Sequence, residues 1–284
     1  MVMQPFEHVS ATSLEQAVAL LSADPEALVL AGGTELLAAM KDGAVRPRRV
    51  VSLRRLEGIS GVGAQALGGL RLGALLTLDD LASEAAVGWE LALLRSAAAG
   101  IASPQHRNLA TLGGNLCQRA PQGSTLAPLL VALGAQVALF GPQGEWRLPL
   151  SGFYGADGSR GLKPGEILTE VVVPSLAGRK AASWRVAGGP GLDWPAASAA
   201  VVLAIEEGKV TQATVVVGQV TPAPWTAADA AAVLTGKPVQ EAAFAEAAAA
   251  AASAVKTLTG DPYRAAAVQA AVRRALLAAV AAPG

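Results

Sequence analysis

Ala27-Leu28-Val29-Leu30-Ala31-Gly32-Gly33-Thr34-Glu35-Leu36-Leu37 is the stretch on which the reading of this chain turns. Residues 27–31 form a short apolar run of the buried-strand type, and it ends in two glycines. Thr34 then predicts the start of a helix over 34–43, with Gly43 at the C′ position. Upstream, Ser13 followed by LEQAVALL predicts a capped amphipathic helix. Leu14, Val18 and Leu21 recur at helical spacing, and Gln16 lies three after Ser13 as in a capping box. Asp24-Pro25 breaks that helix, and VVSLRRL, from Val50, reads as a second strand. The glycine pair therefore lies at the strand-to-helix turn of a β–turn–α–β unit.

Thr111-Leu112-Gly113-Gly114-Asn115-Leu116 repeats the combination about 80 residues later, in a stretch that reads as a loop. Glycines let the backbone approach a ligand and adopt positive φ. Successive free N–H groups then make an anion-binding concavity, and a following helix start adds a favourable dipole. A single Gly-Gly pair marks a turn more often than a phosphate site. Two pairs, each tied to a hydroxyl or amide side chain, point to a dinucleotide gripped at its pyrophosphate from both sides. Other nucleotide and nucleophile motifs are missing. Gly61-Val62-Gly63 lacks the third glycine of a Rossmann fingerprint, no Gly-Lys-Ser/Thr occurs, and no Gly-x-Ser-x-Gly elbow is present.

Between residues 57 and 174 strand and helix patterns alternate. LRLGALLTL is strand-like, 89–100 is helical, STLAPLLVALGA is helical, and QVALFG and EWRLPL pair across a Pro-Gln-Gly turn. A strand over 166–173 is stopped by Pro174. From 175 onward, AASWRVAGG, AASAAVVLAIEEG and KVTQATVVVGQV read as three strands. Helices over 226–234, 239–258 and 262–280 follow, giving an α+β domain with a three-stranded sheet.

Composition narrows the function. Lys+Arg and Asp+Glu each number 22, so the formal net charge is zero, which argues against a nucleic-acid binder and a polybasic membrane anchor. Hydrophobic residues make up 52% and charged residues 15%, a balance that fills a core. One cysteine, Cys117, and two distant histidines, His8 and His106, cannot build an iron–sulfur cluster or a His-rich metal site in this chain. No signal-peptide pattern or membrane-length apolar run is seen, so the expected location is the cytoplasm.

These motifs, in this order, resemble one family: the FAD-binding medium subunit of molybdenum hydroxylases such as carbon monoxide dehydrogenase, xanthine dehydrogenase and related aldehyde dehydrogenases. The similarity runs along the whole chain. It takes in PFEHVSATSLEQAVALL, AGGTELL, LRLGALLTLDDL, PQHRNLATLGGNL, GEILTEVVVP and DWPAASAAV. It implies a two-part FAD-binding region of the vanillyl-alcohol oxidase/MurB type, divided as 1–56 and 57–174, and a C-terminal α+β domain at 175–284. It implies a first pyrophosphate loop at Val29, Leu30, Ala31, Gly32, Gly33, Thr34, Glu35 and Leu36, and a second at Thr111, Leu112, Gly113, Gly114 and Asn115. Ile101 would pack near the cofactor and Leu168 would line its pocket. Arg185 stands where relatives carry Lys or Arg after an aromatic residue, here Trp184, and Asp193 matches the acid before the apolar strand. Where relatives carry an Asp after the second loop, this chain has Gly123-Ser124-Thr125, so hydroxyls replace the acid. Where they carry a further Arg, it has Gly188-Gly189.

The resemblance implies FAD on this chain and no catalytic acid–base residue or metal ligand. Molybdopterin would lie on a large partner subunit and two 2Fe–2S clusters on a small one, in a dimer of heterotrimers. Electrons would leave to NAD, a quinone or dioxygen. Two other readings stay open at this stage: a self-contained FAD oxidoreductase on the same scaffold, and an assembly subunit that has lost FAD. Cys117 reads as a packing residue rather than a redox thiol. His106, Arg107 and Asn108 read as residues that shape the entry to the second loop.

Overall fold

The computed structural model describes residues 4–66, 68–83, 89–118, 124–187 and 194–282. Gly123, Gly188, Gly189 and Asp193 lie outside them. Three sheets succeed one another along the chain. In the first, β1 (Glu7–Ser10), β2 (Leu28–Leu30) and β3 (Arg49–Ser52) run parallel in the order β1-β3-β2, with Leu28 opposite Val50 and Leu30 opposite Ser52. Parallel neighbours need crossovers, and α1 (Leu14–Ala23) and α2 (Leu36–Lys41) supply them. Ser13 Oγ accepts from Gln16 N at 3.1 Å, as a cap should. The return bond falls one residue early: Gln16 Oε1 accepts from Thr12 N at 2.8 Å. α2 starts at Leu36, two residues later than expected, because Thr34 and Glu35 are used in the turn itself. Gly43, at φ +74°, ends α2 at its C′ position.

The second sheet is antiparallel: β4 (Val62–Ala64), β5 (Gly69–Gly73), β6 (Gln136–Gly141), β7 (Gly144–Pro149) and β8 (Ile167–Pro174), in the order β4-β5-β8-β6-β7. LRLGALLTL is not one strand. The ladder stops at Gly73, where an added Cβ would sit 2.3 Å from the Ile59 carbonyl, and the chain turns there into α3 (Leu78–Ser83). The helices α4 (Trp89–Ala99), α5 (Pro104–Arg107), α6 (Leu112–Leu116) and α7 (Leu126–Ala132) follow before β6. NLATLGGNL is not a loop; its glycines lie inside the one-turn helix α6, which Thr111 caps.

The third sheet has four strands rather than three: β9 (Lys180–Val186), β10 (Ala197–Glu206), β11 (Lys209–Gly218) and β12 (Trp225–Thr226), in the order β12-β11-β10-β9. Thr226 belongs to the short β12, so α8 (Ala228–Leu234) begins two residues beyond the expected start. α9 (Glu241–Thr259) and α10 (Pro262–Ala281) complete the domain. The long apolar run of β10 has a physical reason: both faces are covered. Val201 and Leu203 pack with Phe244, Ala248 and Val272 of the helices, while Ala200 and Val202 face the core of the second sheet beside Leu129 and Phe153. Alternate residues thus join two different cores. One of these cores holds the FAD-expected region and the C-terminal domain together.

Candidate functional site

A cleft of about 1120 Å³ runs between the first two sheets, with a lip from the third. The β2–α2 turn forms one wall. Gly33, at φ +78°, makes the turn in a region that a side chain disfavours. Gly32 is pressed against the segment that precedes α6, since a Cβ there would lie 1.9 Å from the Leu109 carbonyl oxygen. No acceptor among the described residues takes the amides of Gly32, Gly33 or Thr34. Within the turn the Leu37 amide donates to the Gly33 carbonyl at 3.0 Å. Val29, Ala31, Gly32, Gly33, Thr34, Glu35 and Leu36 all line the cleft. Leu30 does not: its side chain turns back toward Gly33, within 3.0 Å of where a Cβ would stand.

The α6 turn forms the facing wall, and it offers something different. Its amides are already used. Leu112 donates to the Leu76 carbonyl and Gly113 to the Ala74 carbonyl, both at 2.8 Å; Asn115 donates to the Thr111 carbonyl at 2.8 Å and Gly114 to Thr111 Oγ1 at 3.1 Å. The expected pair of amide cradles is therefore corrected to one. The second turn presents glycine surface and side chains. Thr111, Gly113, Gly114 and Asn115 line the cleft, while Leu112 is fully buried in the core behind it.

The hydroxyls at 124 and 125 divide their roles. Ser124 is buried behind the wall, where its Oγ donates to Asn115 Oδ1 at 2.6 Å and accepts from Ala127 N at 3.0 Å, capping α7. The bond uses the Asn115 oxygen and leaves its NH₂ as the group that side chain can offer. Thr125 lines the cleft, and its Oγ1 is buried with no hydrogen-bond partner among the described residues. Gln118 Nε2, in the same cleft, is also buried and unpartnered. A buried polar atom left this way costs about 1–3 kcal/mol, a cost that a bound ligand removes.

Ile101 reaches the cleft from a segment that Arg107 holds in place. The Arg107 Nη1 donates to the carbonyls of Ala99 and Ile101 at 3.1 Å and of Ala102 at 3.2 Å, and its Nε pairs with Asp79 at 3.3 Å. These bonds hold Ala102 at φ +45°. His106, exposed, lines the cleft beside it. Leu168, 5% exposed, lines it from β8. Arg185, on β9, enters from the C-terminal domain beside Gly100, whose added Cβ would lie 3.4 Å from the guanidinium. No carboxylate among the described residues pairs with Arg185. Trp184 faces away under Arg274, 5.6 Å from its ring centre. Burial pushes the Cys117 thiol up to about 12, against a smaller opposing pull from Arg160, so it is a neutral packing group. Arg160 and Trp194 also line the cleft, and sequence reasoning missed both. Only the fold of the 153–163 segment brings Arg160 there; the sole sequence signal was a cation in a Gly-rich turn.

Two family profiles cover the chain. Residues 4–176 match the FAD binding domain in molybdopterin dehydrogenase, and residues 182–279 match the CO dehydrogenase flavoprotein C-terminal domain. The chain belongs to this family. The first two sheets fall in the first profile, and all but the outermost residues of the third sheet and its helices fall in the second. Among family members, the carbon monoxide dehydrogenase medium chain of Afipia carboxidovorans is 31% identical over 88% of this chain and 86% of that one. The xanthine dehydrogenase FAD-binding subunit of Escherichia coli O157:H7 is 34% identical over 58% of this chain, and the match spans only 56% of that subunit's length. The structure of carbon monoxide dehydrogenase from Hydrogenophaga pseudoflava superposes with a TM-score of 0.91 at 33% identity, covering 99% of both chains. The mixed α/β architecture expected for the family is the one observed. Among the described residues no group of three His, Cys, Asp or Glu could hold a metal, and no helix is long and apolar enough to cross a membrane.

Proposed function

We propose that the chain is the FAD-carrying electron-transfer subunit of a heterotrimeric molybdenum-containing hydroxylase or dehydrogenase. The observation that carries this is the open amide turn at Gly32–Thr34, facing a cleft that also holds the unpartnered Thr125 and Gln118 donors. These residues fit FAD. The amides suit a diphosphate, the glycine at 32 gives the close approach, and the orphaned donors suit the polar edges of the cofactor. Gly32, Gly33 and Thr34 would hold the diphosphate, Thr111, Gly114 and Asn115 would line it, and Ile101, Leu168 and Arg185 would flank the rings. When bound, FAD takes electrons singly and releases them in pairs, which suits a junction between iron–sulfur clusters and a two-electron acceptor.

This chain's own residues bind, orient and exclude water. Molybdopterin would reside on a large subunit and two 2Fe–2S clusters on a small one, with two heterotrimers per assembly and NAD, a quinone or dioxygen as acceptor. A self-contained oxidoreductase needs its own substrate pocket with a base, and the shortage of His, Tyr and Cys in the chain speaks against it. The experiment is to purify the assembly and read visible flavin absorbance with molybdenum and iron analysis. Flavin together with both metals is expected. Flavin with turnover of an organic substrate by the isolated chain would overturn the subunit reading, and no affinity for FAD would overturn the cofactor assignment.

A further inference from the structure

One wall of the cleft carries two buried side-chain groups without a hydrogen-bond partner, and a guanidinium without a carboxylate, among the described residues. Arg160 donates from Nη1 to the Gln118 carbonyl at 2.9 Å and has no carboxylate partner among the described residues. Gln118 Nε2 and Thr125 Oγ1, on the same wall, are buried without partners among the described residues. Such a wall is matched by a ligand edge rich in acceptors and able to carry negative charge.

The wall lies at the C-terminal end of the cleft. The segment that carries Arg160 abuts the third domain: a Cβ on Gly158 would lie 2.9 Å from Pro222. Gln219 Nε2 ties the start of α7, next to Thr125, to the same region by donating to the Ser124 carbonyl at 2.9 Å. Arg185 enters from that side as well. The first subdomain's end differs: Leu21, Ala27, Leu28, Ala39 and Asp42 line it, and it has no unpartnered buried side-chain donor among the described residues. FAD has the same asymmetry about its diphosphate. Its adenosine half stays neutral, while the pyrimidine edge of its isoalloxazine carries carbonyl and ring-nitrogen acceptors and becomes negative on reduction.

We infer that Arg160, with Gln118 and Thr125, holds the acceptor edge of the isoalloxazine and favours its reduced form. The inference rests on FAD being the ligand. A fixed cation there binds the reduced cofactor more tightly than the oxidised one, which raises the reduction potential.

The test is FAD titration and potentiometry on the full chain, wild type against Arg160→Met, with ADP as a probe of the adenosine half. A wild-type chain that takes no FAD removes the parent reading. With FAD bound, Arg160→Met is expected to lose about tenfold more affinity for reduced than for oxidised FAD. For a two-electron couple that is a potential lower by about 30 mV. ADP affinity is expected to stay unchanged. An unchanged potential, or ADP affinity that falls in step with FAD affinity, overturns the inference. If Arg160→Met loses its cooperative melting transition, Gln118→Glu serves instead. It sets a carboxylate beside Arg160 and is expected to lower the potential in the same direction, and an unchanged potential there overturns the inference equally.

Discussion

At the first glycine turn the amides of Gly32, Gly33 and Thr34 have no acceptor among the described residues; at the second, the amides from Leu112 to Asn115 are all bonded within the protein. The glycines differ accordingly. Gly33 is needed for a positive φ and Gly32 for contact with the Leu109 carbonyl, whereas Gly113 lets α6 lie against Ala74, 2.9 Å from an added Cβ. One turn keeps amides without an acceptor among the described residues, and the other is a closed support against which the first is set. Similar letters in a sequence therefore do not imply the same contribution to binding.

The largest expected effect tests that contact. Gly32→Val should separate the two turns, since its side chain meets backbone rather than a movable side chain. Overpacking of this kind costs about 1–3 kcal/mol in stability. Loss of two charge-assisted bonds to the diphosphate should weaken FAD binding by roughly 100-fold or more. Titration of the chain with FAD checks it, and near-normal affinity would break the comparison.

Gly33→Ala comes next. The side chain must adopt φ +78°, at about 1–2 kcal/mol, and FAD affinity should fall about tenfold as the open amides shift. Gly113→Ala should instead lower the melting temperature of the FAD-free chain, by about 1–3 kcal/mol of overpacking, with FAD affinity changing less than in Gly33→Ala. Reversal of that order would show that the second turn is the gripping one.

Thr125→Val sharpens the contrast between support and ligand contact. It removes a buried hydroxyl that has no partner, so the FAD-free chain should be as stable or more so. FAD affinity should drop roughly fivefold, about 1 kcal/mol. Calorimetric melts with and without FAD read both signs at once.

The prediction with no effect at neutral pH concerns Cys117, just after the second turn. Its thiol is pushed from 9.0 up to about 12, mainly by burial, so the folded chain keeps a proton that the unfolded chain releases. Stability should be unaffected below about pH 9 and should decline between about pH 9 and 12. Denaturant unfolding of wild type against Cys117→Ala across that range should show the extra decline only in wild type.

Much of the fold was legible because its signals are local. Ser13 caps α1, Asp24-Pro25 ends it, Gly43 ends α2, and the Glu206-Glu207-Gly208-Lys209 turn joins β10 to β11. The misses were non-local. LRLGALLTL looks like a single strand until Gly73 meets the Ile59 backbone, and Thr226 joins β12 only because Val216 lies opposite it. The site divided in the same way. Val29, Ala31–Leu36, Thr111, Gly113, Gly114, Asn115, Ile101, Thr125, Leu168 and Arg185 meet around one cleft, whereas Leu30, Leu112 and Ser124 stand behind it. A one-dimensional motif cannot tell which face of a strand or helix each residue takes.

The sequence by itself determined the glycine positions, the apolar periodicity and the family, because those depend on residue type and spacing along the chain. Only the tertiary structure decided which amides remain available, since that is settled by acceptors far away in sequence, such as the carbonyls of Ala74 and Leu76. It alone also brought Arg160 beside Gln118, from 42 positions away. Hydrogen-bonding capacity is finite, and its allocation is a property of the folded chain.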